Sequence, residues 1–204
     1  MKELSSHNKT RYLVEMAVLV AVLLMLEITN LGYLKFGLLE MTIMQVPVII
    51  GAIVLGPAAG AVLGGVFGLT SFWQCFGKSA FGVALFAINP IYTFIICVVG
   101  RVLMGWLTGL IYKGLQKVDK TKMVNFFVAG LSGALLNTAF FMGFLVLLFG
   151  QTDYILGIQE SFGATSALGF IVAMVGVQGI LEAVLSCVLG AVISKAVLRL
   201  KHSA

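Results

Sequence analysis

The sequence has 204 residues, of which 60% are hydrophobic and only 10% charged, with a formal charge of +5. Soluble domains carry about 25% charged residues, and a mean hydropathy of +1.10 leaves too little polar surface to coat a water-soluble globule. The composition excludes a soluble fold and predicts an all-α membrane protein: a compact bundle of six transmembrane helices forming one domain over residues 1–204.

The first apolar segment covers residues 11–29 and carries Ala17 and Ala21 four apart, with Val, Leu and Met on its other faces. A polar stretch precedes it without a small-residue cleavage site, so no cleaved signal peptide is expected. The second and third segments cover 41–55 and 57–73 and are divided by Gly56-Pro57, since proline suits a first helical turn. Both are short for a crossing. The third carries Gly60, Gly64 and Gly68 at four-residue spacing. The fourth segment, 89–112, is long enough to span and has Arg101 near its middle, with Gly105 and Gly109 beyond it. An arginine at that depth costs roughly 3 kcal/mol on insertion scales, so it is normally paired or faces a cavity. The fifth and sixth segments cover 124–150 and 166–198. The glycine and alanine seams read as close helix contacts within the bundle, except that the Ala17/Ala21 stripe also suits a partner helix.

Charge sets the orientation. Lys2, Lys9 and Arg11, then Lys113, Lys117, Lys120 and Lys122, then Lys195, Arg199 and Lys201 fall on one side if six helices cross, leaving Lys35 and Lys78 on the other. The positive-inside rule then makes both termini cytoplasmic in a multi-pass protein of the bacterial plasma membrane. This spread also argues against a nucleic-acid partner. On the outer side, linkers 30–40, 74–88 and 151–165 are apolar and aromatic, with Tyr33, Phe36, Phe76, Phe81, Tyr154 and Phe162. Two readings stand for them: interfacial anchors, or a cover over a pocket mouth.

Two partners are open to Arg101. Glu182 lies at similar depth in the sixth segment and makes a structural ion pair with it one reading. A ligand anion is the other, because the guanidinium fork matches a carboxylate. On the fifth segment Gly130, Ala134, Asn137, Phe141 and Phe144 share a face, running from small to polar to aromatic. Asn137 reads either as an interhelical hydrogen bond or as part of a cavity wall. Gln178 sits one turn from Glu182, and Thr70, Trp73 and Gln74 close the third segment. An arginine, amides, an indole and phenyl rings suit a small metabolite with one acid group.

The absences restrict the chemistry. No phosphate loop is present, so ATP hydrolysis is not expected of this chain. The only histidines are His7 and His202, which leaves no Ser–His dyad and no His-ligated metal. No paired aspartates occur. Cys75, Cys97 and Cys187 lack metal-ligand spacing and read as reduced packing residues. No metal, no cofactor and no enzyme activity are expected.

The run LLEMTIMQVPVIIGAIVLGPAAGAVLGGVFGLTSFW, residues 38–73, resembles the substrate-binding S components of energy-coupling factor (ECF) vitamin importers, most of all the pantothenate-type members. The length, the six-segment layout and the Ala17/Ala21 motif fit that family over the whole chain. The resemblance implies a high-affinity vitamin site in the outer half under the first loop. It also implies docking on a transmembrane coupling subunit (T component) served by two cytoplasmic ATPases, with toppling in the membrane to release substrate inward. Ala17 and Ala21 are the implied contact to the coupling subunit. Pantothenate offers a carboxylate for Arg101, polar atoms for Asn137 and Gln178, and a gem-dimethyl end for Trp73, Phe141 and Phe144. Another vitamin (riboflavin, thiamine, folate or cobalamin) is the alternative. A stand-alone secondary carrier is a further one, with Glu182 or Glu27 as its only coupling-ion candidates.

Overall fold

The computed structural model describes residues 6–29, 31–36, 39–117, 123–164 and 166–203; within these, residues 6–8, 34–36, 39–41, 167, 168, 173, 174, 177, 178, 202 and 203 are described by backbone alone. Lys2, Lys120 and Lys122, and the side chains of Lys35, Phe36 and Gln178, fall outside the described residues.

Helix α1 runs over Ser6–Ile28 and leads into a two-stranded antiparallel hairpin, β1 (Tyr33–Phe36) and β2 (Leu39–Thr42), with Tyr33 opposite Thr42. Then come α2 (Gln45–Val54), α3 (Pro57–Gln74) and the short α4 (Ala80–Ile88). Next is one continuous helix in three parts: α5 (Pro90–Phe94), a π-helical turn (Ile95–Val99) and α6 (Gly100–Gln116). Helix α7 (Val124–Phe149), the short α8 (Asp153–Ser161) and α9 (Ala167–Ser203) complete the chain. Among the described residues, three stretches are long and apolar enough to cross a membrane: Pro90–Gln116, Val124–Phe149 and Gly179–Lys201.

The breaks have local causes. Gly56 turns the chain at φ +101°, where a Cβ is disfavoured, and Pro57 starts α3 with an orphan N–H it does not have. Asn89 caps α5 by accepting the Ile91 and Tyr92 amides at 3.0 and 3.1 Å. Ser79 accepts the Gly82 amide at the start of α4. Helix α9 leaves helical geometry at Gly176.

The packing answers the glycine seams. Gly60, Gly64 and Gly68 of α3 lie directly against the backbone of Gly105, Arg101 and Cys97, so a Cβ at any of them would strike a carbonyl oxygen. Two expected seams are therefore one interface, and it fixes α3 against the helix carrying Arg101. Helix α2 has ten residues, about 15 Å at helical rise against a hydrocarbon core near 30 Å. It is buried from Gln45 to Ile53 and acts as a wedge in the bundle.

The linkers differ from the sequence reading. The linker expected at 30–40 holds β1 and the start of β2, that at 74–88 ends in α4, and that at 151–165 contains α8. Their apolar side chains are what orders them: Phe81, Leu85 and Ile155 join Ile96, Met142, Leu145, Phe149 and Phe170 in one buried cluster. At the opposite end Glu15 accepts hydrogen bonds from Arg11 (3.0 Å) and Lys201 (2.8 Å), tying α1 to the end of α9.

Candidate functional site

A cavity opens beneath the hairpin and α4, walled by α3, the π turn, α6, α7 and α9. It holds about 920 Å³ of empty space, its open mouth included.

Arg101 enters this cavity and is 7% exposed. The Gly64 contact occupies the space behind its backbone. Across the π turn, Arg101 Nη1 donates to the Ile96 carbonyl at 2.7 Å. The guanidinium carbon stands 5.0 Å from the centroid of the Phe141 ring and 5.5 Å from that of Phe67. Two ring faces and a carbonyl thus meet part of the charge. Arg101 Nε remains buried without a hydrogen-bond partner among the described residues. So does Asn137 Oδ1, on the α7 side of the cavity. A buried donor on α6 and a buried acceptor on α7, both from residues lining the cavity, suit a ligand carrying an acceptor and a donor.

Glu182, also 7% exposed, lines the same cavity from α9. Its Oε1 accepts the Thr42 backbone N–H at 2.7 Å, so it fastens the end of β2 to α9. The expected pair of charges is thus brought into one cavity, with the hydrogen bond of Arg101 directed to Ile96 and that of Glu182 to the hairpin. Glu27, the other candidate for a coupling ion, accepts from Gln74 Nε2 at 2.8 Å and pairs with Lys78 at 3.1 Å.

Among the other expected site residues, Phe141 lies on the wall as read. Trp73 does not: it is 62% exposed and packs on Phe76 at 6.0 Å between ring centroids, while the next residue, Gln74, lines the cavity. Phe144 is off the wall as well. The missing side chain of Gly100 leaves a niche for its ring, which stacks on Phe140 at 6.1 Å. Gln178 belongs to α9, its side chain outside the described residues. Ala17 and Ala21 are exposed on α1.

Phe67 and Ser71 of the wall were not singled out from sequence, whereas Gln74 and Tyr33 were. Phe67, Ser71 and Gln74 line the cavity from one face of α3, a spacing of four and three that a helical wheel reveals. Tyr33 reaches in from β1 beside Thr70. Burial pushes its phenol well above its ordinary pKa of 10.0, so it stays protonated. The Cys75 and Cys97 side chains also line the space.

The family model described as "ECF transporter, substrate-specific component" matches residues 11–194. The chain is also 31% identical over 203 residues, covering 92% of each sequence, to the pantothenate transporter PanT of Leuconostoc mesenteroides subsp. mesenteroides. With a bundle of apolar helices around a cavity, and a match over nearly its whole length, this membrane protein belongs to the substrate-specific (S) components of ECF transporters.

Proposed function

We propose that this chain binds pantothenate and is the capture subunit of an ATP-driven importer. The observation that carries the ligand reading is the buried Nε–H of Arg101, without a hydrogen-bond partner among the described residues, on a guanidinium set against the Phe67 and Phe141 rings in a cavity that Asn137 also lines. A carboxylate satisfies the guanidinium, while the amide and hydroxyls of the same molecule satisfy Asn137 and the Tyr33 phenol. The likeness to the pantothenate transporter PanT supports the same ligand. The test is titration calorimetry on purified protein. Pantothenate binds the wild type, and Arg101→Ala weakens it roughly 100-fold, the loss of a charged hydrogen bond worth about 3 kcal/mol. Unchanged affinity in a folded variant removes Arg101 from the site and sinks the reading. The buried carboxylate of Glu182 favours a second reading, a cationic vitamin such as thiamine; thiamine in the same titration decides between them.

The surrounding arrangement is part of the proposal. The 1–204 chain forms one integral domain with six membrane helices, α1, α2, α3, α5–α6, α7 and α9, of which α2 is too short to cross alone, and with both termini in the cytoplasm. Lys113, Lys117, Lys195, Arg199 and Lys201 cluster away from the hairpin, in keeping with the positive-inside rule. The cavity then opens outward. The exposed Ala17/Ala21 stripe docks on the coupling subunit, and two partner ATPases supply the energy for inward delivery.

A further inference from the structure

A second concavity lies at the end remote from the hairpin, between the first turns of α7 and the last third of α9. It encloses about 630 Å³ of empty space, mouth included, and shares no residue with the cavity around Arg101. Its floor is apolar, built on buried Phe126 and Ala191, and Phe127 and Val192 extend that apolar surface outward. Its rim is cationic: Lys195 and Arg199 stand one turn apart on α9. Helix α7 starts at the same rim, and its N-cap, Met123, makes no side-chain cap hydrogen bond. The first-turn amides and the positive end of the helix dipole add to the field of the two side chains.

We propose that this groove binds one anionic glycerophospholipid. Its phosphodiester sits between Lys195, Arg199 and the first turn of α7, and an acyl chain lies along Phe127, Val192 and Ala196. Three observations select this occupant. Helices α7 and α9 are both long and apolar enough to span, so a groove at their shared end opens at a bilayer surface. Two cations over an apolar floor complement an anionic head joined to a hydrocarbon tail, whereas a free phosphate has no use for the floor. The same end also carries Lys113, Lys117 and Lys201. A zwitterionic lipid would bring its ammonium group into that field. Basic pockets between membrane helices hold anionic headgroups for this reason.

The experiment is native mass spectrometry of the full chain in detergent, titrated with phosphatidylglycerol or phosphatidylcholine, with thermal unfolding in phosphatidylglycerol or inorganic phosphate alongside. The expected result is one retained phosphatidylglycerol in preference to phosphatidylcholine, and stabilisation by that lipid but not by phosphate. The double variant Lys195→Gln, Arg199→Gln weakens retention roughly ten-fold. Ala196→Asp, which leaves both cations in place and sets a carboxylate in the groove, weakens it similarly and serves if the double variant does not fold. Lys113→Gln, outside the groove, retains the lipid as the wild type does. Equal retention of both lipids, stabilisation by inorganic phosphate alone, unchanged retention in a folded groove variant, or an equal loss in Lys113→Gln overturns the proposal.

Discussion

Arg101 is the costliest group in the bundle, and the protein answers its charge only in part. Ile96 supplies one acceptor and two phenyl faces supply diffuse negative potential. What is left open is directional, so a lysine at this position would keep the charge and lose the fork. Arg101→Lys is accordingly expected to bind pantothenate roughly ten-fold more weakly than the wild type, short of the alanine variant's loss, as calorimetry would read it. Tyr33 offers a second residue-scale prediction with a sign. Its phenol is raised above 10.0 by burial, so the neutral form is favoured in the folded state. The stability this contributes is full below pH 10.0 and is lost as the pH rises above it. Affinity of Tyr33→Phe should fall roughly ten-fold, by about one neutral hydrogen bond, with the same fractional loss at pH 6 and pH 9. A loss that grows between those two values would mean the phenol titrates there and would refute its assignment as a neutral donor. Glu182 acts through the hairpin. Glu182→Ala removes the acceptor for the Thr42 amide, and stopped-flow release of pantothenate should quicken roughly ten-fold, while Glu182→Gln, which keeps a carbonyl oxygen, retains part of the wild-type lifetime.

Among the elements, the α3–α6 interface does the positioning. Gly64 packs on the Arg101 backbone so closely that an added methyl would strike its carbonyl. Gly143 of α7 has open space where its Cβ would be. Gly64→Ala should therefore cost about 1–3 kcal/mol as overpacking and lower the melting temperature in detergent, whereas Gly143→Ala should be neutral or slightly stabilising. Equal melting temperatures would show that the seam tolerates separation. This contrast also marks how far the sequence was legible. The apolar runs, the Gly56-Pro57 break and the glycine spacing led to the right helices and to the right faces of α3 and α6. Arg101, Asn137 and Phe141 came from depth and helical facing, and they do meet in the cavity. Facing could not decide Trp73 and Phe144, because each lies within a turn of a true wall residue and its direction depends on packing by Phe76 and Gly100. The π turn is equally invisible to a regular helical count, since one wide turn rotates every later side chain relative to the earlier ones. The hairpin strands have four residues each, too short for alternation to stand out, and their pairing depends on the Glu182 anchor far along the chain.

At the scale of the whole molecule the two ends differ in kind. One end is roofed by the hairpin and α4 over the cavity; the other gathers the basic side chains of α1, α6 and α9. Helix α1 stands apart from this division. It buries Leu23 and Glu27 against the bundle, yet Leu13, Val14, Ala17, Val18 and Ala21 are exposed along its length. Lipid alone would be indifferent to the size of those side chains, but a partner helix would not. Small residues let two backbones approach closely, and a larger group there holds them apart. Replacing both alanines, Ala17→Leu with Ala21→Leu, leaves the surface apolar and the cavity untouched. The expected outcome is pantothenate affinity within about two-fold of the wild type, because no cavity contact changes, together with uptake by cells reduced more than about ten-fold, because docking on the coupling subunit fails. Uptake at the wild-type level in cells expressing the doubly substituted chain would show that this face meets lipid alone. Lost binding in detergent would show instead that α1 supports the cavity through the bundle.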